Sequence, residues 1–221
     1  MSEKKEDRLE TIFKLQKDLS EMMKLDRYPK DSEGRISALC TAIMHEAVEL
    51  QRTTNWKWWK QQDSSLKDIE MEVIDIWHFG LSDMMVHYDI DKCIDNVFYA
   101  FKSKFEYPTR FGFVEVQDCA ELFAYKTLND HKFHLEPFID LCSTLNMNID
   151  QIYKLYMGKN ILNRFRQDNG YKEKKYNKNW NGCEDNIYLM KFLQETEITE
   201  IDFDDIIYKR LDVAYSTFKI V

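Results

Sequence analysis

The sequence predicts an all-α fold: a multi-helix bundle with carboxylate-bearing helices at its centre, in one domain spanning 1–221. Three observations carry that expectation. The chain holds only 6 Gly and 3 Pro in 221 residues. A sandwich or barrel needs a turn residue about every 8–12 positions, so those classes are excluded. Apolar residues recur at spacings of three and four over long uninterrupted segments, the helical period. Finally, 44% hydrophobic and 14% aromatic residues supply a core that a disordered chain lacks.

Each element follows from its own pattern. Leu9, Ile12, Phe13, Leu15, Gln16, Leu19 and Met22 or Met23 recur at three and four, giving a first helix from about Glu6 to Leu25. Tyr28 to Gly34 contains Pro29 and Gly34 and reads as a loop. Ile36, Leu39, Cys40, Ile43, Ala47 and Leu50 form the stripe of a second helix, Ile36 to Arg52, followed by a linker, Thr53 to Lys60. A third helix starts at Ser64 or Ser65 as N-cap, with Asp68 in its first turn, and runs to about Tyr88. Asp91 to Phe105 is a fourth, ended by Glu106-Tyr107-Pro108. Phe113 to Leu128 and Pro137 to Leu145 carry fainter helical periods. Ile149 to Gln167 is again helical and stops at Asn169-Gly170. Tyr171 to Cys183 reads as a polar loop. Short helices, Glu184 to Gln194 and Phe203 to Phe218, close the chain.

The formal charge of −8 gives no general basic footprint for nucleic acid. The charged N-terminal stretch lacks the apolar region of a secretory signal, and no apolar run approaches a membrane span. Cys40, Cys93, Cys119, Cys142 and Cys183 form no C-x-x-C pair. They are expected to be free, mostly buried thiols of a cytoplasmic protein. Motifs of P-loop NTPases, of Gly-x-Ser-x-Gly hydrolases and of zincins are absent.

Chemistry points first to two acidic pairs, Glu46/Glu49 on the second helix and Glu72/Asp75 on the third. Residues three apart project from one side of a helix. Val73, Ile74, Ile76, Trp77, Phe79 and Leu81 make the third helix apolar nearly all round, so it is expected to be buried on most sides. Carboxylates on such a helix must neutralise, pair or bind a cation. Two pairs on adjacent helices, without interleaved Lys or Arg, favour a divalent cation, and all-oxygen ligation favours Mg²⁺ or Mn²⁺ over zinc. A single Glu-x-x-Glu would be surface decoration. His45 and His78 are spaced poorly for a di-iron site and read as packing or hydrogen-bonding residues.

A second signal is a basic island. Lys154 to Lys178 holds eight Lys or Arg against two Asp or Glu. Lys159, Asn163 and Arg166 fall on one helical face, and Tyr171, Lys172, Lys174, Lys175 and Lys178 follow. Cations and amides in one stripe suit an oligophosphate, with Arg supplying bidentate contacts; a solvated face balancing an acidic body is the plainer alternative. Trp56, Trp58 and Trp59, with Lys57 and Lys60, either wall a base pocket or anchor the linker. Phe79, one turn beyond Asp75, would face a sugar or base bound near the metals.

Glu46 to Glu49, Trp56 to Lys60, Glu72 to Phe79 and Gly158 to Lys172 together resemble the dimeric all-α dUTPases, within the all-α NTP pyrophosphatase superfamily that includes MazG-like enzymes. The resemblance runs from about Phe13 to Lys191. It implies hydrolysis of dUTP to dUMP and pyrophosphate, by a metal-activated water attacking the α-phosphorus. It implies that Glu46, Glu49, Glu72 and Asp75 hold two or more Mg²⁺ ions, with Mn²⁺ as the alternative, and that Glu46 or Glu49 helps deprotonate the water. It also implies that Lys159, Asn163, Arg166, Tyr171 and Lys172 grip phosphates, that Gln16, Trp59, His78 and Phe79 surround the nucleoside, and that the chain forms a homodimer. Left open are cleavage of dUDP and a related enzyme preferring dCTP or other nucleotides. A helical scaffold with charged patches and a di-iron protein are the competing readings of the same residues.

Overall fold

Why the chain becomes helical is clearest at its third helix. The computed structural model describes residues 3–62, 65–106, 113–199 and 202–220. The expected cap Ser64 and the expected helix end Tyr107-Pro108 lie outside them. Ser65 is the N-cap of α3 (Leu66–His87), its hydroxyl accepting from Asp68 N at 3.3 Å. That bond satisfies one of the four backbone donors a helix start leaves open. Ile69, Val73, Ile74, Ile76, Trp77 and Leu81 are each fully buried, on several faces of α3. A helix apolar all round becomes the centre of its bundle.

The chain groups into two compact units, Met1–Tyr153 and Lys154–Val221. In the first, α2 (Ser37–Arg52) packs along α3 more extensively than any other helix pair. α1 (Glu3–Met22) packs on α3 and on α4 (Ile90–Glu106), while α5 (Phe113–Asp130) joins α2 to α6 (Leu135–Thr144). Trp77 stacks on Phe138 at 4.9 Å, with Phe123 and Phe133 closing the aromatic core. Each large apolar side chain buried here contributes roughly 1.5–3 kcal/mol. Gly80 leaves room for that core, since a Cβ would come within 2.5 Å of the Phe133 ring. The buried carboxylate of Asp83 accepts from Phe133 N at 2.8 Å. Burial pushes its pKa up, and the Phe133 N–H offsets only part of that.

The second unit contains most of α7 (Ile149–Asp168), a two-stranded hairpin, α8 (Asp185–Gln194) and α9 (Phe203–Ile220). Its core is aromatic: Phe165, Trp180 and Tyr215 pack with centroids 5.2–6.0 Å apart. A Cβ on Gly158 would come within 2.6 Å of Leu193, so α7 needs glycine for that approach.

The structure changes two expectations. The first helix ends at Met22 rather than Leu25. Lys24 adopts φ 57° and the chain continues as a 3-10 turn, Leu25–Arg27. The Tyr171–Cys183 loop contains one regular piece, β1 (Asn179–Trp180) paired antiparallel with β2 (Cys183–Glu184). Asn181 and Gly182, at φ 50° and 84°, form the two-residue turn that matches strand twist.

Candidate active site

Buried Ile43, Ala47 and Leu50 seat α2 against α3, and Glu46 therefore stands at the edge of that seam. One carboxylate oxygen from each of Glu46, Glu72 and Asp75 lies within 4.8 Å of the others, and all three residues are half-buried. Glu49, one turn further along α2, is exposed and lies outside this trio. Two unit charges at 4.8 Å repel by about 3–4 kcal/mol at an effective dielectric near 20. The group is therefore a place where a divalent cation lowers the energy. Three carboxylate oxygens, with no His or Cys in the group, are the donor set of a hard cation. On this ground the residues fit Mg²⁺ or Mn²⁺ and fit zinc poorly.

Beside the trio lies a buried polar chain. His78, one turn beyond Asp75, lies 2.8 Å from Gln16 Oε1 through its Nδ1. Gln16 Nε2 donates to Ser82 Oγ at 2.9 Å, and Ser20 Oγ is 3.0 Å from the same atom. Gln16, His78 and Ser82 are each at most 6% exposed. Phe79 is half-buried beside them on α3.

The linker after α2 is open. Trp59 packs edge-on to Trp56 and Trp58 at 5.3 and 5.7 Å, yet Trp58 is 91% and Trp59 58% exposed. Trp56, at 40%, is the least exposed of the three. Linker residues also border a cleft of about 300 Å³, lined by Arg52, Lys57, Lys60, Gln61, Gln62 and Asp68. Arg52 follows Glu49 by three residues and Asp68 precedes Glu72 by four, so helical spacing puts the cleft about one turn from the acidic pairs. Reading the sequence missed Arg52 and Asp68 as parts of a cationic cleft. Their i+3 and i−4 spacing from the acidic pairs was the available signal.

In the second unit, Lys159, Asn163 and Arg166 do share a face of α7. Arg166 is buried and grips Asp185 with both ends of its fork, Nε at 2.9 Å and Nη2 at 2.7 Å. Tyr176 donates to the same carboxylate at 2.8 Å, and burial, then Asp185, push the phenol pKa up. Lys159 Nζ donates to Asn186 Oδ1 at 3.2 Å, and Arg166 reaches Asn163 Oδ1 at 3.4 Å. Tyr171 and Lys172 are exposed, and Lys178 lies over the Tyr171 ring. Asp185 was not anticipated, because nothing in a linear pattern pairs it with Arg166.

The fold and the trio define an all-α protein with a helix-borne site suited to a divalent cation. The family model described as dUTPase matches residues 8–171, which takes in both acidic pairs and all of α7. The chain therefore belongs to the all-α dUTPase family: it is a hydrolase acting on dUTP, and its fold is consistent with the MazG-like relation. No curated protein sequence matches it. Among the described residues, no helix is long and apolar enough to cross a membrane.

Proposed function

We propose that the protein cleaves dUTP to dUMP and pyrophosphate in a Mg²⁺-dependent reaction, and that the convergence of Glu46, Glu72 and Asp75 is the observation that carries this reading. These three residues would hold the cation. When bound there, Mg²⁺ supplies charge neutralisation on the phosphates and acidifies water, with Mn²⁺ as a substitute. The remaining chemistry belongs to the chain. The α2 pair, Glu46 and Glu49, takes the proton of the attacking water. Glu49 is the better placed, since it is exposed and outside the trio. The water oxygen bonds to the α-phosphorus, the bond from that phosphorus to the bridging oxygen breaks, and pyrophosphate leaves with the electron pair.

Gln16, His78, Phe79 and Trp59 form the nucleoside site in this reading. Lys159, Asn163, Arg166, Tyr171 and Lys172 grip phosphates, and Arg166 exchanges part of its hold on Asp185 to do so. The functional unit is a cytoplasmic homodimer. Five free cysteines, three of them buried, support a reducing compartment.

The test is a nucleotide panel with purified protein and Mg²⁺ in ¹⁸O-water. The expected result is dUMP and pyrophosphate, label only in dUMP, and loss of turnover with EDTA. Label in pyrophosphate would move the attack to the β-phosphorus, and no turnover of dUTP would overturn the proposal.

A further inference from the structure

The polar chain between α1 and α3 has a fixed direction, and a backbone carbonyl sets it. Ser82 Oγ donates to the carbonyl of His78 at 3.3 Å. A carbonyl only accepts and a serine hydroxyl has one proton, so that proton is committed. Towards its other neighbours Ser82 Oγ must accept. Gln16 therefore turns its amide nitrogen to Ser82, at 2.9 Å, while the Ser20 hydroxyl lies 3.0 Å from the same oxygen. The carboxamide oxygen of Gln16 is left facing His78 Nδ1 at 2.8 Å. That oxygen only accepts, so Nδ1 carries the hydrogen. Flipping the Gln16 amide would turn its oxygen onto the accepting side of Ser82 Oγ, where two acceptors would face each other.

We propose that Ser82 is a positioning residue that holds the Gln16 carboxamide in the orientation suited to uracil and opposed to cytosine. The inference rests on the reading of Gln16 and His78 as nucleoside-site residues. Uracil presents an N–H donor at N3 beside an acceptor at O4, whereas cytosine presents an acceptor at N3 beside an amino donor. The outer edge of a carboxamide, one oxygen and one N–H, pairs with either base, but in opposite orientations. The choice of base is then made by whatever tells the two ends of the amide apart. His78 alone does not, because its ring can carry the hydrogen on either nitrogen. Ser82 does, because its own direction is anchored to main chain. His78 follows Asp75 by three residues on α3, so the anchor is built into the helix that carries the acidic pair.

The test compares kcat/KM for dUTP and dCTP, with Mg²⁺, in full-length wild type, Ser82→Ala, Ser82→Thr and Ser20→Ala. Wild type should prefer dUTP. Ser82→Ala should lower the dUTP-to-dCTP ratio by about tenfold or more, a fraction of the roughly 10⁴–10⁵ that a hydrogen-bonding site can supply. Ser82→Thr, which keeps the hydroxyl, should keep the ratio. Ser20→Ala should keep it too, because Ser20 meets Ser82 Oγ and leaves the Ser82 hydroxyl and its contact with Gln16 in place. If Ser82→Ala fails to fold, Ser82→Cys, weak as donor and acceptor, should shift the ratio in the same sense. A parallel loss on both nucleotides, an equal shift in Ser20→Ala, or a wild-type preference for dCTP would overturn the proposal. Absence of dUTP turnover in wild type would instead strike the functional reading beneath it.

Discussion

Replacing Glu72 by Gln separates the chemistry of the trio from its cost to the fold. Glu72 shares the seam with Glu46 and Asp75, with ligand oxygens within 4.8 Å, so its charge enters two of the three repulsive pairs. Each pair is worth about 3–4 kcal/mol at an effective dielectric near 20. Half-burial, salt and the hydrogen bonds of the site reduce this, so a net gain of about 1–2 kcal/mol is expected for Glu72→Gln without divalent cation. For a chain of this size that is a rise of about 2–8 °C in melting temperature. Adding Mg²⁺ should then reverse the order. A cation at a hundred times its dissociation constant stabilises wild type by about 2.7 kcal/mol. The variant, with one fewer charged ligand, should gain much less. Turnover of dUTP should fall by about 10²–10³-fold or more, as when one preorganised electrostatic contact is removed. The assay is a pair of thermal melts, with EDTA and with Mg²⁺, beside a dUTP hydrolysis rate. A variant that is less stable in EDTA and hydrolyses dUTP at the wild-type rate would refute the reasoning.

Asp83→Asn tests a different buried carboxylate. Burial raises the Asp83 pKa above the ordinary value of about 3.9, so the fold prefers the protonated form. The stability this group contributes is complete below that ordinary value and is lost as pH rises through the raised one. Asn still accepts from Phe133 N, so Asp83→Asn should be the more stable protein at pH 7 and lose that advantage near pH 4, as read from urea midpoints. A wild type more stable at pH 7 would contradict this. Gly80→Ala should cost about 1–3 kcal/mol, since the new Cβ would sit 2.5 Å from the packed Phe133 ring; a urea midpoint matching wild type would contradict it. With a thiol reagent at pH 8, exposed Cys183 should react first and half-buried Cys119 next. Cys40, Cys93 and Cys142 should react only after denaturation, with burial pushing the Cys93 thiol up to about 12; fast labelling of these three would contradict the packing.

Much of this was legible before the structure, and the reasons are local. The nearly all-round apolar surface of Val73 to Leu81 required a central helix, and α3 is one. Ser64 or Ser65, with Asp68, marked its start by capping chemistry that acts over three residues, and Ser65 is the cap. The acidic pairs were legible because spacing fixes a face and the flanking apolar residues fix which face is buried. Spacing could not show that Glu49 sits in solvent while Glu46 stands at the seam, because that depends on how α2 is rotated against α3. The Asn181-Gly182 turn was readable in principle, but its strands are two residues each and carry no period. Arg166 with Asp185, and Gln16 with Ser82, were out of reach. Each joins residues on different helices, 19 and 66 positions apart, and only packing brings them together.

A crystal structure of the protein with Mn²⁺, using anomalous scattering to find the ion, tests most directly whether the three carboxylates hold a cation. The ion is expected about 2.0–2.6 Å from carboxylate oxygens of Glu46, Glu72 and Asp75 together. An ion bound elsewhere, with those three side chains turned apart at full Mn²⁺ occupancy, would contradict it.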